Sequence, residues 1–442
     1  MSMRERVNRI LLLLLSVTVC SVSYAQTGTA YGAYSPYTVF GIGDLSKEGT
    51  AFNKSMGGTG IATRNRRFIN FTNPAAVTAI DSCSFMLDFG LAQNNKVFTQ
   101  NLDGNRYHSG NNTFNISDFA ISFPIYRSSA FMVGISPFSN VGYDYSSYET
   151  DPDIIGVTNN INRTYYGEGS VYQVFAGAGV TFWKRLSVGA ELLYYFGTID
   201  KAFLMDYTDA SIRDVNAGST VLARAVTGKF GFQYDQPLKN NLHLTVGGTY
   251  RLGTKMGGNT TQYKYAELSG IRDTISYKTL NNSERLRIGD EIGVGVSLKS
   301  GEKWSVEFDY IRSDWRKTNM GSAEAFGYET AGYETSVYQS FRAGFEIVPN
   351  RNDIRYYLKR CAYRAGVYYD REYYKYAGYN VDGMGITIGV TLPVFRLYNG
   401  ISLGVDFGQR GRLQGDLIRE RYVTFNIGFN IHDIWFQKPR YE

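Results

Sequence analysis

Val423-Thr424-Phe425-Asn426-Ile427-Gly428-Phe429-Asn430-Ile431, close to the C-terminus, alternates without a break. Val423, Phe425, Ile427, Phe429 and Ile431 share one side of an extended chain, and Thr424, Asn426, Gly428 and Asn430 share the other. A strand turns successive side chains to opposite faces, so a period of two makes one apolar and one polar face. The pattern recurs upstream. Ile401, Leu403, Val405 and Phe407 alternate with Ser402, Gly404 and Asp406. Ile386, Ile388, Val390 and Leu392 alternate with Thr387, Gly389 and Thr391. Trp304, Val306, Phe308 and Tyr310 alternate with Ser305, Glu307 and Asp309.

Fourteen such runs, most of them eight to sixteen residues long, follow one another from 84–91 to 421–431. A soluble sandwich turns its polar face to bulk water and would carry long charged side chains there. Here that face is mostly Gly, Ser, Thr and Asn, which suits a crowded, wet lumen, while the apolar face suits lipid. Phe182 and Trp183 stand where a strand meets a short turn, as in an interfacial aromatic girdle. Short links (126–129, 183–185, 235–241, 299–303) alternate with long polar ones (92–112, 254–283). That asymmetry belongs to outer-membrane barrels, short side periplasmic, and an even strand count puts both termini there. Two links break it: 348–360 is long for a turn and 374–379 short for a loop. The fold expected is all-β: a 14-stranded antiparallel outer-membrane barrel over residues 81–432.

Composition agrees. The chain has 36 Tyr, 27 Phe and 48 Gly against 9 Pro, a mixture for many strands rather than helices or disorder. Arg4, Arg6 and Arg9 precede an apolar run at 10–17 too short to span a bilayer, and Ser23-Tyr24-Ala25 offers a cleavage site. Residues 1–25 therefore read as a signal peptide. Cys20 follows Val19 where a lipobox wants a small residue, which argues against lipidation. Of the net charge of +6, about +4 remains after cleavage, not gathered into a stripe, so nothing points to nucleic acid. Cys83 and Cys361 are too few for a disulfide framework, and whether they pair is left open.

Residues 26–80 lack the alternation and read as a plug, with residues 433–442 as a periplasmic tail. Tyr37, Phe40, Ile42 and Leu45 give the plug apolar groups to pack, and the first three are candidate packing or ligand-contact residues. Gly57, Gly58 and Gly60 permit tight turns and close backbone packing. Asn73 precedes Pro74 and is suited to cap a turn. Glu307, Asp309, Arg342, Glu346, Arg364 and Asp406 all fall on the lumen phase of their strands. Buried charges persist when paired, so these are expected to hold the plug. Gly134, Pro137 and Gly142 in the third strand mark a bulge or gap, since proline removes a ladder hydrogen bond. His108, His243 and His432 show no spacing for a triad, and no phosphate loop or metal-ligand cluster is seen. No cofactor and no catalytic residue is expected.

Two stretches carry recognisable words: Ser35-Pro36-Tyr37-Thr38-Val39-Phe40-Gly41-Ile42-Gly43-Asp44-Leu45, and Met56-Gly57-Gly58-Thr59-Gly60 leading to Asn73-Pro74-Ala75. The second resembles the FadL/TodX family of outer-membrane transporters of hydrophobic compounds, and the first resembles its branch common in Bacteroidota. The resemblance implies a monomer that takes long-chain fatty acids or other hydrophobic molecules from the extracellular loops. It also implies a plug that shifts, and sideways release to the lipid near the third strand. A rival expectation is a FadL-like barrel that does not transport but binds secreted proteins, similar to the PorV shuttle. An apolar lumen open above the plug would favour transport; a filled one would favour the scaffold. The ligand's identity and the plug's movement stay open.

Overall fold

The computed structural model describes residues 33–434 apart from 82–83, 103, 127, 149–152, 154–160, 208–210, 285, 321–331, 395–398 and 414–416. The signal-peptide reading, the plug residues 26–32, Cys83 and most of the tail lie outside the described residues.

Fourteen antiparallel strands close into a barrel. They are β1 (Ser84–Leu102), β2 (Asn105–Tyr126), β3 (Ser129–Tyr148), β4 (Ile161–Phe182), β5 (Leu186–Tyr207), β6 (Asp214–Pro237) and β7 (Leu242–Arg251). Next come β8 (Glu291–Ser300), β9 (Trp304–Asp314), β10 (Val337–Ile347), β11 (Ala362–Tyr376), β12 (Tyr379–Pro393), β13 (Gly400–Arg410) and β14 (Arg419–Ile434). Closure is made by β1 against β14, from Ser84↔Ile434 to Thr99↔Arg419. No helix among the described residues is long and apolar enough to cross a membrane.

Each run seen in the sequence is one of these strands, but several strands outrun their alternation. The run 84–91 is the lower half of β1, 113–125 part of β2, and 170–182 the lower half of β4. The upper halves lose the regular alternation, because above the lipid the outward face need not be apolar. The long link 92–112 is thus mostly a protruding β1–β2 hairpin. The long link 254–283 holds a second hairpin, Asn259–Leu268 with Ile271–Asn281, whose first strand pairs with upper β6. The link 374–379 is short because Ala377 and Gly378, both at positive φ, turn β11 tightly into β12. Asp433 and Ile434 belong to β14 rather than to a tail.

Alternation sets the two faces as expected. Phe308, Ile386 and Ile388 are 56–58 % exposed on the outer wall, whereas Glu307 and Asp309 are 3 % and 5 % exposed inside. The small inward residues, however, do not chiefly face water. They make room for the plug. A side chain at Gly366 would collide with the backbone of Met56 and Gly57, one at Gly344 with Met56, and one at Gly231 with Asn73. Glycine lets two backbones approach where any Cβ would intervene.

Candidate functional site

The plug enters at Ser35, whose side chain accepts a hydrogen bond from the Tyr37 amide and caps the short turn Pro36–Val39. Proline at the first position fixes that turn's φ. Tyr37, Phe40 and Ile42 are then fully buried. Phe40 stacks on Tyr333 at 5.1 Å and lies 5.4 Å from Tyr374; Tyr37 lies 6.3 Å from Tyr374. Trp315 closes on Tyr373 at 4.8 Å. These rings fill the space above the plug with the protein's own side chains.

Below them the plug is tied to the wall by charge. Arg410 on β13 grips Asp44 with two hydrogen bonds of 2.8 Å and also meets Glu420, Glu372 and the Ser35 hydroxyl. Glu48 sits between Lys229 at 2.5 Å and Arg251 at 3.7 Å. Burial pushes both plug carboxyls up. Arg410 and Lys96 nevertheless hold Asp44 below its usual range, and Lys229 and Arg251 do the same for Glu48. Lys201 on β5 donates to the carbonyls of Val39 and Gly41, both at 2.7 Å.

All six charges picked out on the lumen phase meet the plug or one another. The Asp309 carboxylate accepts from the amides of Gly60 and Ile61 at 2.7 and 2.9 Å. Glu307 receives the Thr63 hydroxyl. Arg342 donates to the Gly58 carbonyl at 2.9 Å. Arg364 pairs with Glu346 at 2.8 Å and lies over the ring of Phe52 at 4.3 Å. Asp406 accepts from the Tyr368 hydroxyl and faces Lys47 at 3.7 Å. Such pairs are costly to break from one side, because the abandoned charge stays buried.

Gly57 and Gly58 have φ of +70° and +83° and turn the plug against β10 and β11. Gly60 lacks a positive φ, but a Cβ there would strike Thr72. Asn73 caps the turn Pro74–Ala79 by accepting from the Ala75 amide and donates to the Ile61 carbonyl at 2.7 Å. The structure thus gives Asn73, Pro74 and Ala75 a packing role.

The third-strand residues stand at a break in the wall. β2 and β3 pair from Tyr126↔Ser129 to Phe119↔Ile135, and there the pairing stops. Above that point β2 stays with β1 and β3 stays with β4. Pro137 is the next odd position, and a bulge between Pro137 and Ser139 turns Phe138 into the lumen, 4.5 Å from the ring of Tyr195. The freed edge of β3 is taken by the plug. Asp44 and Leu45 pair with Asn140 and Ser139, Ser46 donates to the Phe138 carbonyl, and Gly142 exchanges hydrogen bonds with the Thr38 hydroxyl and accepts one from the Ser35 amide. Gly134 lies just below, where a Cβ would strike Phe119 and Phe175. A cavity of about 230 Å³ adjoins this gap, and its lining includes Ile116 and Pro137 together with Lys47, Tyr368 and Tyr422.

Parity alone would have found Lys229, Arg251 and Arg410, each on the lumen phase of its strand. Their plug partners carry no such signal. His243 lies 3.2 Å from Asp235 at the short-turn end, His108 meets the Thr99 hydroxyl at 3.2 Å, and His432 is buried. Cys361 is buried and unbridged among the described residues. These residues include no group of His, Cys, Asp and Glu that would hold a metal ion.

A family model described as BamG matches residues 7–442. No curated protein matches the chain significantly. Among solved structures, the toluene transporter TodX of P. putida is 14% identical with a TM-score of 0.61, covering 89% of this chain and 100% of its own. The Ralstonia pickettii toluene transporter TbuX is 15% identical with a TM-score of 0.54, covering 87% and 98%. A Pseudomonas aeruginosa FadL homologue is 11% identical with a TM-score of 0.55, covering 90% and 100%. The chain therefore has the FadL/TodX-type fold over nearly its whole described length, and at these identities the likeness is one of fold.

Proposed function

We propose that this chain, which belongs to the BamG family, is an outer-membrane channel for hydrophobic molecules, a reading supported by its likeness in fold to the FadL/TodX-type channels. In this reading both termini are periplasmic, the barrel is a monomer in outer-membrane lipid, and cargo leaves sideways between β2 and β3. The observation that carries it is the break in the wall at Phe119↔Ile135 with a cavity behind it. An unpaired strand edge in hydrocarbon leaves backbone groups without partners, at several kcal/mol each. A barrel keeps such a break where something passes or docks. Among the described residues the plug and the aromatic rings pack together inside the barrel, and in this reading cargo is released through the wall. Long-chain fatty acids remain one cargo class within this proposal; plug residues 26–80 would have to shift for it to load.

A second reading has its own observation. The aromatic cap and the plug fill the lumen, and a barrel held this firmly suits a non-transporting, PorV-like scaffold for secreted proteins. Deleting the gene and following a labelled hydrophobic compound separates the two. Reduced uptake, restored by the wild-type chain, is the expected result. Unchanged uptake with loss of partner-protein secretion would overturn the channel in favour of the scaffold.

A further inference from the structure

The cavity beside the gap is too small for a whole hydrocarbon, and its lining carries charged and amide groups beside apolar ones. Sites that enclose a drug-sized ligand measure roughly 300–1,000 Å³. This one is about 230 Å³, enough for part of a molecule. Its lining mixes amide, hydroxyl and charged groups with apolar ones. A cross-strand row, Asn115–Ala92–Asn426, runs over β2, β1 and β14 from the gap inward. Asn94 and Thr424 form the next row, and Tyr422 and Tyr368 stand at the back. Outside the mouth the lining changes. Phe114 and Ile116 are 63 % and 57 % exposed on the lipid face of β2.

Charge narrows the choice further. Each cation at the cavity already faces carboxylates: Arg410 faces Asp44 and Glu420, Lys47 faces Asp370 and Asp406, Lys96 faces Asp44 and Glu420, and Lys54 faces Asp118. An added anion would compete with carboxylates the protein has fixed there, with no desolvated cation left over to repay its own burial. Neutral groups line the rest of the cavity: Thr424 donates to Asn94, the Tyr368 and Tyr422 hydroxyls meet at 2.7 Å, and Asn426 offers an amide whose several donor and acceptor sites suit a hydroxyl.

We infer that this cavity holds the head of an amphiphile with an uncharged, hydroxyl-bearing headgroup, its tail leaving through the gap along Phe114 and Ile116. The inference rests on the channel reading for the use of the gap, and it sharpens the cargo: neither a free fatty acid nor a bare hydrocarbon is the preferred ligand.

The test uses the full chain in phosphatidylcholine nanodiscs with three probes, 1-lauroylglycerol, laurate and dodecane. The monoacylglycerol is expected to bind saturably and at least tenfold more tightly than laurate, with no saturable binding of dodecane. Ala92→Trp, which fills the cavity, should lower monoacylglycerol affinity tenfold or more. Asn426→Leu keeps the volume, removes one amide and should weaken the same ligand alone. Heat-modifiable migration checks that each variant is a folded barrel. Laurate or dodecane binding as tightly as the monoacylglycerol, or affinity unchanged in both variants, overturns the inference. Monoacylglycerol bound as expected but not taken up by cells would break the channel reading and leave this one standing.

Discussion

Two seams of the barrel behave contrary to what chain connectivity suggests. β1 and β14 come from opposite ends of the chain, yet they are zipped from Ser84↔Ile434 up to Thr99↔Arg419. β2 and β3 are joined by a tight turn, yet they part at Phe119↔Ile135. The difference is local chemistry rather than distance along the chain. β1 and β14 have no proline and keep an unbroken register, so every rung can form. β3 carries Pro137 beside a bulge, and its edge above that point is taken by Asp44 and Leu45 of the plug. The wall opens where the plug offers a better partner.

That contrast can be broken or sharpened by substitution. The largest effect is expected from Arg410→Ala, which takes the cation from Glu372 and leaves Asp44 and Glu420 only the more distant Lys96. Removing one partner of a buried pair costs about 3–5 kcal/mol. Limited proteolysis should cut the plug far faster, while β1 and β14 stay protected from hydrogen exchange. Equal protection of the plug in both proteins would show that the aromatic cap, not the ion pairs, holds it.

Acid should act on the same side of the contrast. Asp44 and Glu48 titrate below their ordinary range. Their contribution is therefore complete above the usual carboxylate range of about 4 and is lost as pH falls through and below it. Proteolysis of the plug should rise as pH falls below that range.

Gly366→Val addresses the far wall, where a side chain would collide with the Met56–Gly57 backbone. Overpacking there should cost about 1–3 kcal/mol. The loss is expected in denaturant midpoint, with the β2–β3 seam unaltered. Pro137→Thr is the smallest change: it restores one amide, and a hydrogen bond contributes about 1 kcal/mol net. Exchange of the amides of β2 just above Phe119 should slow, and uptake of a hydrophobic probe should fall. No change in either would mean the plug strand alone keeps the seam apart.

Much of the architecture was legible because a period of two is a local property. Any ten residues of β12 or β14 state which side chains face lipid. Strand ends were less legible: above the bilayer the outward face is no longer required to be apolar, so the upper halves of β1, β4 and β5 look like loops. The lumen charges were found by the same parity. What the glycines on that parity were for was misjudged, because a small residue facing water and one facing another backbone look alike in sequence.

The sequence by itself determined the strand count, the two faces and the position of the proline in β3. The tertiary structure decided what those inward groups meet. Asp44 and Arg410 are 366 positions apart, and nothing local in either stretch specifies the other. Only closing the barrel around the plug brings them within hydrogen-bond reach, because pairing of buried charge is set by three-dimensional proximity and exclusion of water. Likewise Pro137 announced a weak rung, but only the fold showed that the plug takes the edge the weak rung leaves.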